Sequence, residues 1–116
     1  MNICQVKRYM FYCSMFGRAC FELYSLKKDH KYARQRFCSI KYLQDNNIIP
    51  SYTDYELREC GFLSDDESLE RMIANKNTFQ KNYISVGDIV NVIQNGKQTF
   101  FFVDGIGLQT VPSFRQ

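Results

Sequence analysis

The sequence predicts a small α+β domain, a mainly antiparallel sheet of four or five strands with two helices packed on it. Three observations lead to that class. The first is a hairpin signal near the C-terminus, where two apolar runs, Ile89 to Gln94 and Lys97 to Val103, flank Asn95-Gly96. Asn-Gly is the preferred two-residue turn because both positions need a positive φ. The second is the segment Tyr55-Glu56-Leu57-Arg58-Glu59-Cys60, which alternates apolar and charged residues at the period of a half-buried strand. The third is the stripe Leu69, Met72 and Ile73, spaced i, i+3, i+4 as on one face of a helix.

The elements follow in chain order. Residues 1–19 form an N-terminal extension to the domain of residues 20–116. Within the extension, Lys7 and Arg8 precede an apolar stretch from Tyr9 to Phe16 that superficially copies a secretion signal. The stretch is short and tyrosine-rich, Arg18 follows it directly, and no small-residue cleavage site closes it. No run approaches the roughly 18–20 apolar residues of a membrane span, so the expected setting is the cytoplasm, without membrane contact. Cys20 to Leu26, dense in aromatic and aliphatic residues, predicts the first strand. Lys27 to Lys31 is a polar loop. Ser39 caps a short helix through Gln44 that ends near Asn46-Asn47 and sets Ile40 and Leu43 on one side. Pro50-Ser51 marks a break before the alternating strand.

Ser64-Asp65-Asp66-Glu67 has the S-x-x-E spacing of a capping box and predicts the start of the second helix. Asn75 to Asn82 is a polar linker around Phe79. In the hairpin, a two-residue turn sets Gln94 opposite Lys97 and Ile89 opposite Phe102. Val90, Val92, Phe101 and Val103 then share one face, and Ile89, Ile93, Phe100 and Phe102 share the other. Both faces are apolar, which predicts a central hairpin covered on both sides. Leu108 to Val111 adds a last short strand.

A chain of 116 residues with 45% hydrophobic and 16% aromatic content has the material for one modest core. That composition excludes a disordered or low-complexity segment. Five cysteines form an odd set without a C-x-x-C pair, which points to free thiols in a reducing compartment. With His30 as the single histidine and no close-spaced ligand pairs, no metal and no cofactor are expected.

The net charge of +3 conceals a division along the chain. Residues 1–42 are strongly basic, residues 43–75 are acidic, and the remainder is weakly basic. The acidic residues Asp65, Asp66, Glu67 and Glu70 are the candidate partner-binding set, arrayed as a phosphate mimic toward a basic groove. The basic set Lys27, Lys28, Lys31, Arg34, Arg36 and Lys41 is interleaved with Tyr32, Phe37 and Tyr42, a pattern that holds single-stranded nucleic acid by phosphate contact and stacking. Against it stands an isoelectric point of about 8.6, below the strongly basic footprint of such domains. Catalytic groupings are scarce. His30 beside Asp29 offers an acid/base, and Asp54, Glu56 and Glu59 offer paired carboxylates, but solvated surface explains each. Asp88 and Asp104 fall at the same end of the hairpin, where a metal or polar ligand could be bound but turn chemistry is the better account of Asp beside Gly.

The segments Ile84-Ser85-Val86-Gly87-Asp88-Ile89-Val90, Gln94-Asn95-Gly96 and Phe102-Val103-Asp104-Gly105-Ile106-Gly107-Leu108 resemble the YodL-like domain family. Gly87 stands where that family usually shows Ser, and Leu108 where Phe is common. Phe21 to Lys27, Phe37 to Leu43 and Tyr55-Glu56-Leu57 look like its earlier elements in order. The resemblance implies a protein of a phage or conjugative element and supplies no catalytic residue. On that analogy the expected function is a non-enzymatic binding protein that inhibits a host defence system, most concretely an anti-CRISPR inhibitor of a CRISPR nuclease complex. The alternative is a nucleic-acid-binding accessory protein of the element. The sequence does not fix the oligomeric state.

Overall fold

Five antiparallel strands form a single sheet in the order β2-β1-β3-β4-β5, with helices on both faces. The structure is a computed structural model and describes residues 2–27, 39–48, 50–64, 68–105, 107–111 and 114. The strands are β1 (Cys20–Leu26), β2 (Tyr55–Phe62), β3 (Ile89–Gln94), β4 (Lys97–Asp104) and β5 (Gly107–Thr110), and the helices are α1 (Ile3–Ser14), α2 (Ile40–Asp45) and α3 (Leu69–Phe79). The α+β class and the five-stranded antiparallel sheet are those the sequence predicts.

The β3–β4 hairpin has the expected register, with Gln94 opposite Lys97 and Ile89 opposite Phe102. Asn95 and Gly96 take φ of 53° and 76°, the double left-handed turn that matches the twist of the strands. β3 is the middle strand and both hairpin faces are apolar, so each packs a separate core. One core gathers Phe21, Leu23, Val90 and Val103 from the sheet with Leu63, Ile84 and Met72 of α3. The other gathers Tyr24, Ile89 and Phe102 with Leu43 of α2, Tyr55, Val111 and Phe114. The alternation of strand side chains keeps the two sets apart, since odd and even positions point to opposite faces.

A β-bulge breaks the β1–β2 register between Leu23 and Tyr24, which face Glu59 and Leu57 and leave Arg58 unmatched. The bulge re-aims Arg58. Its guanidinium donates to Ser25 Oγ at 2.9 Å and to the Tyr83 carbonyl at 2.8 Å, and lies 3.5 Å from Asp88 Oδ2. It also stacks over the Tyr83 ring, 4.5 Å from the centroid. One side chain thus ties an edge strand to the segment that feeds the central hairpin.

Three local readings need correction. Residues 3–14 are helical, where the sequence reading assigned no element: α1 opens on a capping box in which Asn2 Oδ1 accepts from the Gln5 amide and Gln5 Oε1 accepts from the Asn2 amide. The helix that carries Leu69, Met72 and Ile73 is capped by Ser68, whose hydroxyl accepts from the Arg71 amide, and not by Ser64. Ser68 caps alone, because the third helical position holds Arg71 and not the Glu or Gln a capping box needs. Finally, Asn75 to Phe79 continue α3 where a linker was expected. Asn77 keeps that turn in place by bonding both the amide and the carbonyl of Ile84, so its polar side chain is used inside the helix and not in a loop.

Candidate functional site

A groove of about 1040 Å³ lies between α1 and the β4–β5 half of the sheet. Its origin lies in how α1 sits. The helix crosses β1, β2 and β3 and leaves the neighbouring part of that face open. Ser14 is fully buried and Val6, Met10 and Cys13 are half-buried, recurring at the spacing of one helix face. The Cys20 thiol donates to the Met10 carbonyl at 3.2 Å and pins the middle of the helix to β1. The side chains of Phe11 and Met15 then form one wall of the groove, and Phe100, Val111 and Phe114 form the other.

Beneath α1 lies a buried polar network. Glu22, 1% exposed, points from β1 toward the helix among aromatic neighbours. Its Oε1 accepts from the Tyr24 hydroxyl at 2.9 Å and from Asn91 Nδ2 at 2.8 Å. Its Oε2 has no hydrogen-bond partner and lies 3.8 Å from Lys7 Nζ. Lys7 donates to the hydroxyls of Tyr24 and Tyr52, both at 3.2 Å. The ammonium also sits 5.1 Å from the Tyr52 ring centroid, where the ring's negative face attracts it. Asn91 passes the network on to Gln98 Oε1 at 2.9 Å, at the groove. Burial and then the Glu22 carboxylate push the Tyr24 phenol well above the ordinary tyrosine range, so it stays a donor.

At the rim of this groove, α1 and the turn after it expose large apolar side chains to solvent. Tyr9 is 53% exposed, Tyr12 63%, Met15 59% and Phe16 74%. Tyr12 and Phe16, one turn apart, meet edge to face at 5.2 Å between centroids. Arg18 stacks over Phe62 beside them, 4.3 Å from the ring centroid.

The sequence-derived sites fall elsewhere. Glu70 is exposed in the first turn of α3, on the opposite face of the sheet, where it borders a smaller hollow of about 380 Å³. Asp65, Asp66 and Glu67 lie outside the described residues. Lys27 and Lys41 are exposed, while His30 and the basic residues Lys28, Lys31, Arg34 and Arg36 lie outside the described residues. Asp88 and Asp104 serve the fold separately. Asp88 accepts from Ser25 Oγ at 2.9 Å and from the Ser85 amide at 3.0 Å, and Asp104 accepts from the Ile40 and Gly105 amides. Glu59 forms an ion pair with Lys76 of α3 at 2.7 Å. Among the described residues no group of three His, Cys, Asp or Glu side chains is placed to hold a metal ion. Cys13, Cys20 and Cys60 are free thiols. No described helix is long and apolar enough to cross a membrane.

Two features of the sequence point to the groove residues beyond the patterns considered above. Asn2-x-x-Gln5 with Val6, Met10 and Cys13 behind it marks an amphipathic helix across the apolar stretch from Tyr9. A lone carboxylate, Glu22, stands between Cys20 and Tyr24 on one face of an otherwise apolar strand. No curated protein and no solved structure matches the chain significantly. The model of the YodL-like domain matches residues 20–114, so that α1 precedes the matched region. The match spans all five strands with α2 and α3, and the chain belongs to the YodL-like domain family.

Proposed function

We propose that this chain is a non-enzymatic binding protein of a phage or conjugative element that inhibits a host defence protein, most concretely a CRISPR nuclease complex. One observation supports a binding role above the others: four large apolar side chains, Tyr9 and Tyr12 on α1 with Met15 and Phe16 in the turn that ends it, stand in solvent. Apolar surface gathered in this way is unfavourable in water and marks protein contact sites, where aromatic residues and Met are enriched. The mobile-element setting comes from the family resemblance and not from the geometry.

The test is a DNA-cleavage assay with a reconstituted CRISPR nuclease complex from a host of the element, titrated with the purified protein. Cleavage should fall as the protein reaches stoichiometry with the complex. The double variant Tyr12→Ser, Phe16→Ser should lose inhibition while keeping its melting temperature, because both side chains are exposed. Full inhibition by that variant removes α1 from the contact. Undiminished cleavage, together with no complex on gel filtration, overturns the reading. Steeply salt-dependent binding of single-stranded DNA in its place assigns the chain to nucleic-acid accessory proteins instead.

A further inference from the structure

We infer that the groove beside α1 receives a segment of the protein partner in which carboxylates stand among apolar side chains. This rests on the binding-protein reading above and names the chemistry of the contact.

The walls set the apolar half of that chemistry. Phe11 and Met15 face Phe100, Val111 and Phe114 across the groove. Burying such side chains against a partner removes them from water, which is the main favourable term in protein association. Charge sets the other half. The described lining includes two cations, Lys7 and Arg8, and no acidic side chain. α1 as a whole contains no Asp or Glu, so nothing on the helix offsets Arg8 at the rim. Glu22 does answer Lys7, but from beneath and at 1% exposure, so it presents no acid to a ligand.

The hydrogen-bonding groups agree. Gln98 Oε1 is occupied by Asn91, which leaves its amide protons for an incoming acceptor. The Arg8 guanidinium has donors only, whereas the Lys7 ammonium is already engaged with the Tyr24 and Tyr52 hydroxyls and Glu22, so Arg8 is the cation that meets a ligand. A ligand that met this rim with Lys or Arg would face like charge, whereas Asp or Glu would meet charge-assisted donors.

Dimensions favour a chain segment. From Lys7 to Met15 the wall runs about 12 Å along the helix axis, the length of about four extended residues or two helical turns. The volume lies at the upper end of small-molecule sites, and the groove is open along its side.

A selection from a displayed library of random dodecapeptides against the full chain tests this. Enriched peptides should join Asp or Glu to Phe, Leu or Trp, and their binding should weaken as salt rises. Arg8→Glu should lower their affinity at least tenfold, and a peptide with its acids changed to Lys should recover affinity for that variant. Met15→Glu, at a second exposed rim position, should also weaken the original peptides. Enrichment of neutral or basic peptides, no enrichment, or acidic peptides indifferent to both variants overturns the assignment. Dodecanoate binding that depends on Arg8, with no peptide selected, also overturns it, in favour of a small amphiphile. The two readings fail separately. Acidic apolar peptides in the groove with no effect on any CRISPR nuclease would leave the groove assigned and the anti-defence reading refuted. Inhibition that persists in Arg8→Glu would refute the groove alone.

Discussion

Replacing Phe114 with Ala should cost about 4 kcal/mol, a large share of the roughly 5–15 kcal/mol that holds a domain of this size together. Phe114 is fully buried, although it lies near the end of the chain. Its ring centroid is 5.1 Å from Phe100, 5.3 Å from Tyr55, 5.6 Å from Tyr24 and 6.0 Å from Tyr52. Removing it deletes roughly 200 Å² of buried surface, near 5 kcal/mol at about 25 cal/mol per Å² as an upper bound. Measured costs of Phe→Ala in cores run at about 3–5 kcal/mol, with the cavity included. The four ring neighbours argue for the middle of that range or above, because the edge-to-face contacts with Tyr24 and Tyr55 add to plain burial. Urea unfolding followed by tyrosine fluorescence measures the loss, with Phe79→Ala as the control. Phe79 is 92% exposed, so its removal should change stability by less than about 0.5 kcal/mol. A Phe114→Ala loss below about 1 kcal/mol would refute the claim that this residue clamps the C-terminal segment onto the core.

Gly96→Val should destabilise the domain by roughly 1–2 kcal/mol, because a β-branched residue is strained at a φ of 76° and its Cβ would meet Met15 Sδ at 2.5 Å; an unchanged melting temperature would tell against the turn. Stability should fall as pH rises above about 9. Cys60 is pushed up to about 11, chiefly by burial, and Tyr24 and Tyr55 are raised in the same way, so the native state keeps protons that the unfolded chain releases. The full contribution of these groups is present below their unfolded pKa values, and a melting temperature that holds steady from pH 8.5 to 10.5 contradicts it. All five cysteines should titrate as thiols in denatured, unreduced protein, and Cys20 and Cys60 should react slowly in the native state at pH 8, since burial raises both.

The hairpin was fully legible in the sequence because each of its determinants is local. Asn95-Gly96 sets the turn, the turn sets the register, and the period of two sets the faces. The same holds for α2, where Ser39 caps and Leu43 is buried. Where the sequence is less legible, the deciding contacts are made by residues distant along the chain. Asn77 reads as linker until Ile84 folds back to it, and nothing in the sequence pairs Glu22 of the first strand with Asn91. The Asn91 partner of Glu22 depends on register, and the Lys7 contact depends on where α1 lands, which no short-range pattern specifies. The candidate site was therefore much less legible than the sheet. Its residues come from α1, β1, β3, β4, the turn at Tyr52 and the segment from Thr110 to Phe114, and only the tertiary structure assembles them.

The two charged surfaces lie on opposite faces of the sheet, and that separation decides between two modes of contact. α1 and its groove share the face of Glu22, Asn91 and Phe100, whereas Glu70 belongs with α3 on the face of Leu23 and Val90. A partner surface laid against one face cannot also cover the other. Charge reversal on each side should then give unequal results. Arg8→Glu with Met15→Glu should weaken inhibition more than tenfold, because it places two carboxylates at the mouth of a groove proposed to take acids. Glu70→Lys should leave inhibition within about threefold. It should cost the fold only about 0.3–1 kcal/mol, mostly from the lost interaction of Glu70 with the positive end of α3. Dose–response curves for both variants against the same nuclease complex, with melting temperatures in parallel, separate contact from folding. The reverse outcome, with inhibition lost in the α3 variant and intact in the α1 variant, would refute docking through α1. It would establish the acidic residues around Glu70 as the contact, acting as a mimic of phosphate toward a basic groove.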